Sequence, residues 1–420
     1  MYGCGRRRAT GTYPPRPMAA GADSHAVRHA EVPRWAMLSV TWMNSLGSGV
    51  LWSGVPFVTE REYGFTQGEN LALALAEAAL YVAVALAAGP VLRRLSAAGR
   101  CTPRGWLAGI FVLQAGTSLL ALAGSTGVIV AACVLSAAGA AMWPVMESYV
   151  SSGRHGGSMR RSIAVFNVTW MSATGVALLV MAPLVASGMA AWSLVGMVPV
   201  SAASMVVLRW FPASPAPHPP EHAHTHIAPQ YPYLLRATRF VMPTSYVFIS
   251  VIGPVLPFLL LDLGLEDGWK TPLASAWMFA RMGTVLLMGL ASFWHGRWAT
   301  LAVGLALLAG GFALTAFAGS APAMLAGLVA FGAGHGILYF ASLYYAMAVG
   351  GAEVDAGGTF EALIGAGYVV GPLAGLAAGD THGGLVAATA AAGALGLLPA
   401  LMPYLAWRRK AAEAALAAAR

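Results

Sequence analysis

Glu77 and Arg281 each sit inside a long apolar run, LALALAEAALYVAVALAAG around the acid and TPLASAWMFARMGTVLLMGL around the base. A charge at the middle of a membrane helix costs about 2.5–3.5 kcal/mol on insertion scales, so each residue needs a reason to be there. A carboxyl in such a place can take up and release a proton, and a guanidinium can neutralise an anionic group. In one reading both face a common cavity, with Arg281 meeting an anionic part of a solute and Glu77 handling a coupling proton. The other readings are a buried ion pair that fixes helix packing, Arg281 stacked on Trp277 one turn away, or placements unrelated to each other.

The two positions correspond, because the chain repeats itself at an offset of roughly 200 residues. Pro56-Phe57 returns as Pro257-Phe258, Glu77 and Arg93 as Arg281 and Arg297, Tyr149 as Tyr344, and Phe166-Asn167 as Phe360-Glu361. The offsets of 201, 204, 195 and 194 drift only as small loop insertions would make them. One unit of about six helices duplicated in tandem has this signature. Glu77 and Arg281 then lie at similar depth on opposite sides of a pseudo-symmetry axis, one acidic and one basic.

Glu147 and Glu361 stand nearer the inner ends of their runs. Glu147 is close to Arg93, Arg94 and Arg100 of GPVLRRLSAAGR and to the basic residues that follow its own run; Arg297 is the counterpart for Glu361. Ion pairs here either latch the inner side shut or are ordinary interfacial pairs, worth about 0–1 kcal/mol when exposed. His335, near the middle of its run in GAGHGILYF, is a proton switch or a simple hydrogen-bonding partner of a neighbouring helix. Asn44, Gln114, Asn167, Trp170 and Tyr246 add polar and aromatic groups of the kind that line solute cavities, although Trp and Tyr also serve as core and interfacial anchors.

These residues must be held by helices in lipid. Of 420 residues, 58% are hydrophobic and 10% charged, too little polar surface for a soluble globule of this length. A backbone in hydrocarbon must satisfy its own hydrogen bonds, and runs rich in Ala, Gly, Leu and Val without period-two alternation favour helices over barrel strands. Runs long enough to span about 30 Å of hydrocarbon fall at 35–58, 70–92, 105–124, 127–150, 162–186 and 189–210, then at 236–262, 272–293, 299–318, 322–349, 358–379 and 384–407.

The expected divisions are a disordered tail at 1–33, a first six-helix unit at 34–211, a Pro/His-rich linker at 212–233, a second unit at 234–407 and a tail at 408–420. All basic residues except Arg61, Lys270 and the intramembrane Arg281 fall on one side, so that side is read as cytoplasmic and both termini lie there. The net charge of +8 is thus a topology signal rather than a nucleic-acid footprint. The 1–33 stretch has no apolar core of the length a cleavable signal requires.

Glycines mark close approach and bending. Gly367, Gly371, Gly375 and Gly379 recur every fourth residue, either as a sliding stripe or as tight static packing. Gly47, Gly49, Gly54 and Pro56 in run one, and Gly253, Pro254 and Pro257 in run seven, favour bent helices. His218, His222, His224 and His226 in the linker read as part of a flexible segment more readily than as a metal site, and Cys4, Cys101 and Cys133 as free thiols. There is no His-Glu-x-x-His zinc pattern, no Gly-x-Ser-x-Gly elbow and no phosphate-binding Gly-rich loop ending in Lys, so neither an enzyme nor an ATP-driven pump is expected, and no cofactor or metal.

Two six-helix halves, an inner linker and both termini inside resemble a major facilitator superfamily permease over about residues 35–407. GPVLRRLSAAGR is similar to that superfamily's Gly-x-x-x-Asp-Arg-x-Gly-Arg loop, with Gly89, Arg94, Gly99 and Arg100 in place and Arg93 where the family has an acid; HGRW after run eight keeps Gly296 and Arg297. GAGYVVGPLAGLAAG resembles the Gly-Pro motif of the antiporters but stands in the other half, so antiport is not inferred from it. The resemblance implies an all-α membrane protein of twelve transmembrane helices in two pseudo-symmetric six-helix bundles. A monomer in the plasma or inner membrane that carries a small-molecule solute by alternating access is expected; the intramembrane carboxylates and His335 favour protons as the coupling partner, and a uniporter would look similar. The resemblance also implies that Glu147 pairs with the loop arginines when the cytoplasmic side is closed. Many apolar and aromatic side chains favour efflux of amphiphilic compounds; import of an organic anion through Arg281, or a permease-like sensor without transport, are the alternatives.

Overall fold

The computed structural model describes residues 32–151, 156–216, 228–350, 354–379 and 381–418. Cys4, Arg154 and the linker histidines His218, His222, His224 and His226 lie outside the described residues. Among the described residues the chain is all-helical. Helix α1 (Arg34–Gly49) runs through a π turn (Val50–Gly54) into α2 (Val55–Tyr63), followed by α3 (Gln67–Ala97) and α4 (Pro103–Ser118), which a 3₁₀ turn joins to α5 (Gly124–Ser151). Then come α6 (Gly156–Ala186), the short α7 (Trp192–Val195), α8 (Met197–Val207), α9 (Tyr231–Asp262), α10 (Asp267–Leu290), α11 (Trp298–Ala316), α12 (Ala321–Gly350), α13 (Val354–Ala377) and α14 (His382–Ala418). A helix falls on each apolar run read from the sequence.

Local chemistry sets the boundaries. Gly64 closes α2 in the left-handed conformation at φ 65°, and Thr66 then opens α3 with a reciprocal capping box to Glu69. Several helices extend beyond their apolar runs, and two of these boundaries bear on the site and the linker. Helix α9 starts at Tyr231, inside the stretch assigned to the linker, and α13 starts at Val354, a turn earlier than its apolar run. In both cases polar residues continue the helix beyond the hydrocarbon-length window. The tail after Arg408 remains helical as the end of α14.

Side-chain distribution is inverted relative to a soluble protein. Leu86, Val112, Leu290, Phe293, Leu395 and Met402 are exposed, while Asn44, Glu77, Gln114, Arg281 and His335 are buried. Nine helical stretches among the described residues are long and apolar enough to cross a membrane. The chain is a multi-pass α-helical membrane protein, with lipid as the solvent of its outward faces.

The two most extensive helix contacts between the sequence halves form a matching pair. Helix α6 packs on α10, and α3 packs on α13. Because Glu77 on α3 corresponds to Arg281 on α10, and Asn167 on α6 to Glu361 on α13, exchanging the halves turns one contact into the other. These contacts hold the charged positions inside the molecule.

Candidate functional site

A central cavity of ≈ 160 Å³ opens among helices from both halves. The π turn places Trp52 and Ser53 on its wall, α3 contributes Glu77 and Tyr81, α5 Glu147, and α6 Trp170. From the second half come Tyr246 on α9, Trp277 and Arg281 on α10, Tyr339 on α12, and Glu361 and Tyr368 on α13. A π turn is a frequent mark of a functional stretch of helix; here it sits between Gly49 and Pro56.

Arg281 is 5% exposed. Its guanidinium carbon lies 4.6 Å from the ring centre of Trp170 and 4.7 Å from that of Tyr339, so indole and phenol from different sequence halves both offer it a π face. One terminal nitrogen donates to the Tyr246 hydroxyl at 3.2 Å, and Nε has no partner. Asn167 sets the two rings: its side-chain oxygen accepts from the Trp170 indole N–H at 2.9 Å and from the Tyr339 hydroxyl at 2.7 Å.

The backbone under Arg281 is fixed from behind by α12. A Cβ on Gly336 would stand 2.9 Å from the Arg281 carbonyl oxygen, and one on Gly332 would overlap the Trp277 carbonyl. Only glycine allows helices this close. The stripe on α13 behaves similarly, with Gly367 and Gly371 against α9 and Gly375 against Leu71, whereas Gly379 is a left-handed terminator at φ 66° with open space around it.

At the other end, Glu361 accepts a hydrogen bond from the Tyr81 hydroxyl at 2.8 Å. Glu147 lies within Coulomb range of Glu361. An aromatic wall links the two ends: Tyr246 to Tyr368 with ring centres 5.1 Å apart, Tyr368 to Tyr81 at 6.2 Å, and Trp52 stacked on Tyr368 at 4.6 Å and 15°.

Several expected placements are corrected. Glu77 and Arg281 both line the cavity but form no ion pair, and Arg281 stacks on Trp170 and Tyr339 rather than on Trp277. Glu361 does not meet Arg297. The earlier start of α13 carries the acid inward to Tyr81, while Arg297 is exposed at the start of α11. Glu147 reaches the same cavity, and Arg93, Arg94 and Arg100 are exposed at and beyond the end of α3.

Asn44, Gln114 and His335 are buried but are not on the cavity wall. Asn44 ties α1 to α8 through Ser204 at 3.0 Å. His335 sits behind the wall, its ring 5.0 Å from that of Tyr246, with neither nitrogen partnered. Asn167 acts through Trp170 and Tyr339 from the layer behind. Trp52, Tyr81, Tyr339 and Tyr368 had no place in the expected site; Tyr81 is one helical turn beyond Glu77, the only hint the chain offered.

On the side read as external, a second cluster joins the halves. Arg61 pairs with Asp267 at 2.9 Å, and the same carboxylate holds the buried Lys270 at 2.8 Å. Glu60, two residues beyond the first apolar run, lies beside them. Burial pushes its carboxyl up, against the opposing pull of Lys270.

Among solved structures, the chain is similar to the nucleoside transporter NupG (11% identity, TM-score 0.63, covering 89% of this chain and 98% of that one). It is also similar to the human organic anion transporter MFSD10 (15%, TM-score 0.61, 88% and 98%). A third similarity is to a bacterial homologue of the human lysosomal transporter Spinster in an inward-facing, unoccupied conformation (14%, TM-score 0.60, 92% and 98%). These likenesses concern the fold. No curated protein matches. The family model described as Major Facilitator Superfamily matches residues 37–354, and the chain belongs to that family.

Proposed function

We propose that this chain is a secondary active transporter that moves a small organic solute by alternating access, with protons as the coupling ion. Twelve spans form two pseudo-symmetric six-helix bundles, and both termini lie in the cytoplasm beneath a plasma or inner membrane. The observation that carries this reading is a cavity to which both sequence halves contribute, with Arg281 lining it from one half and Glu77 from the other. The carboxyls of Glu77, Glu147 and Glu361 offer sites at which a proton can be taken up on one side and released on the other. The Arg61–Asp267 pair, which joins the two halves on the side read as external, is a candidate gate in this account.

The aromatic wall supports efflux of an amphiphilic compound as the working direction. Import of an organic anion is the second reading, supported by the unpartnered Nε of Arg281. The similar structures carry names of nucleoside and organic anion transporters, so the fold alone does not select the solute. Counterflow of labelled solutes in proteoliposomes, with and without a pH gradient, tests the proposal. Flux that responds to the gradient and is lost in both Glu77→Gln and Arg281→Ala supports it. Ligand binding without flux identifies a sensor, and flux unchanged in both variants removes the cavity role.

A further inference from the structure

The cavity places a guanidinium and carboxyl groups along one aromatic wall and leaves them unjoined. Among the described residues no carboxylate reaches Arg281 within ion-pair distance. A guanidinium this deeply buried keeps its charge, so a counter-charge must come from elsewhere. Its Nε is unpartnered although buried, and the residue lines the cavity. At the far end Glu361 accepts from the Tyr81 hydroxyl, and Glu77 and Glu147 add two further carboxyls to the same wall. Tyr246 and Tyr368 lie between: Tyr246 accepts from Arg281, its ring centre is 5.1 Å from that of Tyr368, and the Tyr368 ring is 6.2 Å from that of Tyr81.

A solute with a lone negative charge would satisfy Arg281 but leave the Glu361 and Glu77 carboxyls without a cationic partner. One with a lone positive charge would satisfy the acids but face the guanidinium. A molecule with both charges satisfies each end, and a flat ring between them can lie against Tyr246, Tyr368 and Trp52. Size agrees: about 10–15 Å³ holds one water on this volume scale, so the cavity takes a body of roughly ten heavy atoms.

We propose that the solute is an aromatic zwitterion, its anionic group held by Arg281 and its ammonium by Glu361 with Tyr81 and Tyr368 around it. This rests on the transporter reading above for its meaning, and its test does not require flux. The purified full-length chain in lipid nanodiscs is titrated with a matched series in which the ring separates the charged groups, 4-(aminomethyl)benzoate, 4-methylbenzylamine, 4-methylbenzoate and 4-methylbenzyl alcohol, and with the homologous series whose ammonium arm is one methylene longer, with binding read by isothermal calorimetry.

The zwitterion of at least one series is expected to bind roughly tenfold tighter than its amine or acid, the effect of one charge-assisted hydrogen bond. In Arg281→Gln that zwitterion and its amine should bind alike; in Glu361→Gln the zwitterion and its acid should bind alike. Arg281→Lys keeps the charge and should restore part of the acid's contribution, which separates recognition from misfolding. A singly charged or neutral member binding as tightly as its zwitterion overturns the proposal, as does absence of binding throughout, or variants that weaken all members equally. Zwitterion selectivity without counterflow in proteoliposomes would remove the transport reading and leave this one standing; counterflow of another solute class would do the reverse.

Discussion

The guanidinium of Arg281 lies 4.6 Å from the ring centre of Trp170, a residue on a helix from the other half of the sequence. Tyr339 lies at 4.7 Å from the same guanidinium, and Asn167 hydrogen-bonds both rings. The two halves therefore meet around a charge. Any movement of α6 against α10 changes how that charge is covered.

Cation–π contacts of this desolvated kind are worth about 0.5–2 kcal/mol. A double-mutant cycle of Trp170→Ala with Arg281→Gln, read by thermal unfolding in detergent, should return a coupling free energy in that range. Strict additivity would show that the stacking contributes nothing to the structure. Trp170→Phe should retain part of the effect.

Gly332 and Gly336 hold the backbone that carries Arg281, so Gly332→Ala and Gly336→Ala should each destabilise by about 1–3 kcal/mol, the usual effect of overpacking. Gly310, which faces open space, provides the control. Gly310→Ala should be neutral or slightly stabilising in the same melting experiment, and equal losses at all three positions would contradict the close-approach argument.

The external cluster separates two kinds of ion pair. Arg61→Gln removes the more exposed partner and should cost about 0–1 kcal/mol. Asp267→Asn strands Lys270, 2% exposed, without its carboxylate and should cost about 3–5 kcal/mol. Thiol labelling of an introduced external cysteine should therefore rise much more in Asp267→Asn than in Arg61→Gln. The reverse order would show that the Arg61 contact, and not the buried lysine, holds this side closed.

Glu60 gives the same side a pH dependence with a defined sign. Burial raises its carboxyl above the ordinary range in the closed form, with Lys270 and Arg61 pulling down and Asp267 pushing up. An opened, solvated Glu60 returns towards the ordinary value, so the closed form binds the proton more tightly. Closure is favoured at the acid end of the window between those two values and weakens as pH rises through the upper one. Labelling should increase with pH across that window in the native chain and become flat in Glu60→Gln.

The residues that could be found in the sequence were those in conflict with their surroundings. Glu77 and Arg281 stood out because hydrocarbon penalises charge, and the repeat placed Asn167 opposite Glu361; all four belong to the cavity or its supporting layer. Depth was harder to read. Glu361 stands near the start of its apolar run, but α13 begins before that run, and the acid meets Tyr81 on the cavity wall rather than Arg297. Trp52, Tyr81, Tyr339 and Tyr368 were illegible because an aromatic side chain has the same composition signal in a core, at an interface or on a cavity wall. Arg61 and Asp267 are distant in sequence, and only the packing of the halves brings them together.

Alternating access itself is tested most directly by two distances measured on one protein. Spin-label pairs at Gly68 and Glu266 report the external side, and pairs at Ala98 and Ser292 report the cytoplasmic side, in a background with Cys4, Cys101 and Cys133 replaced. On a shift of pH in proteoliposomes, the account predicts that one distance lengthens as the other shortens. Two distances that stay fixed, or that lengthen together, would contradict it.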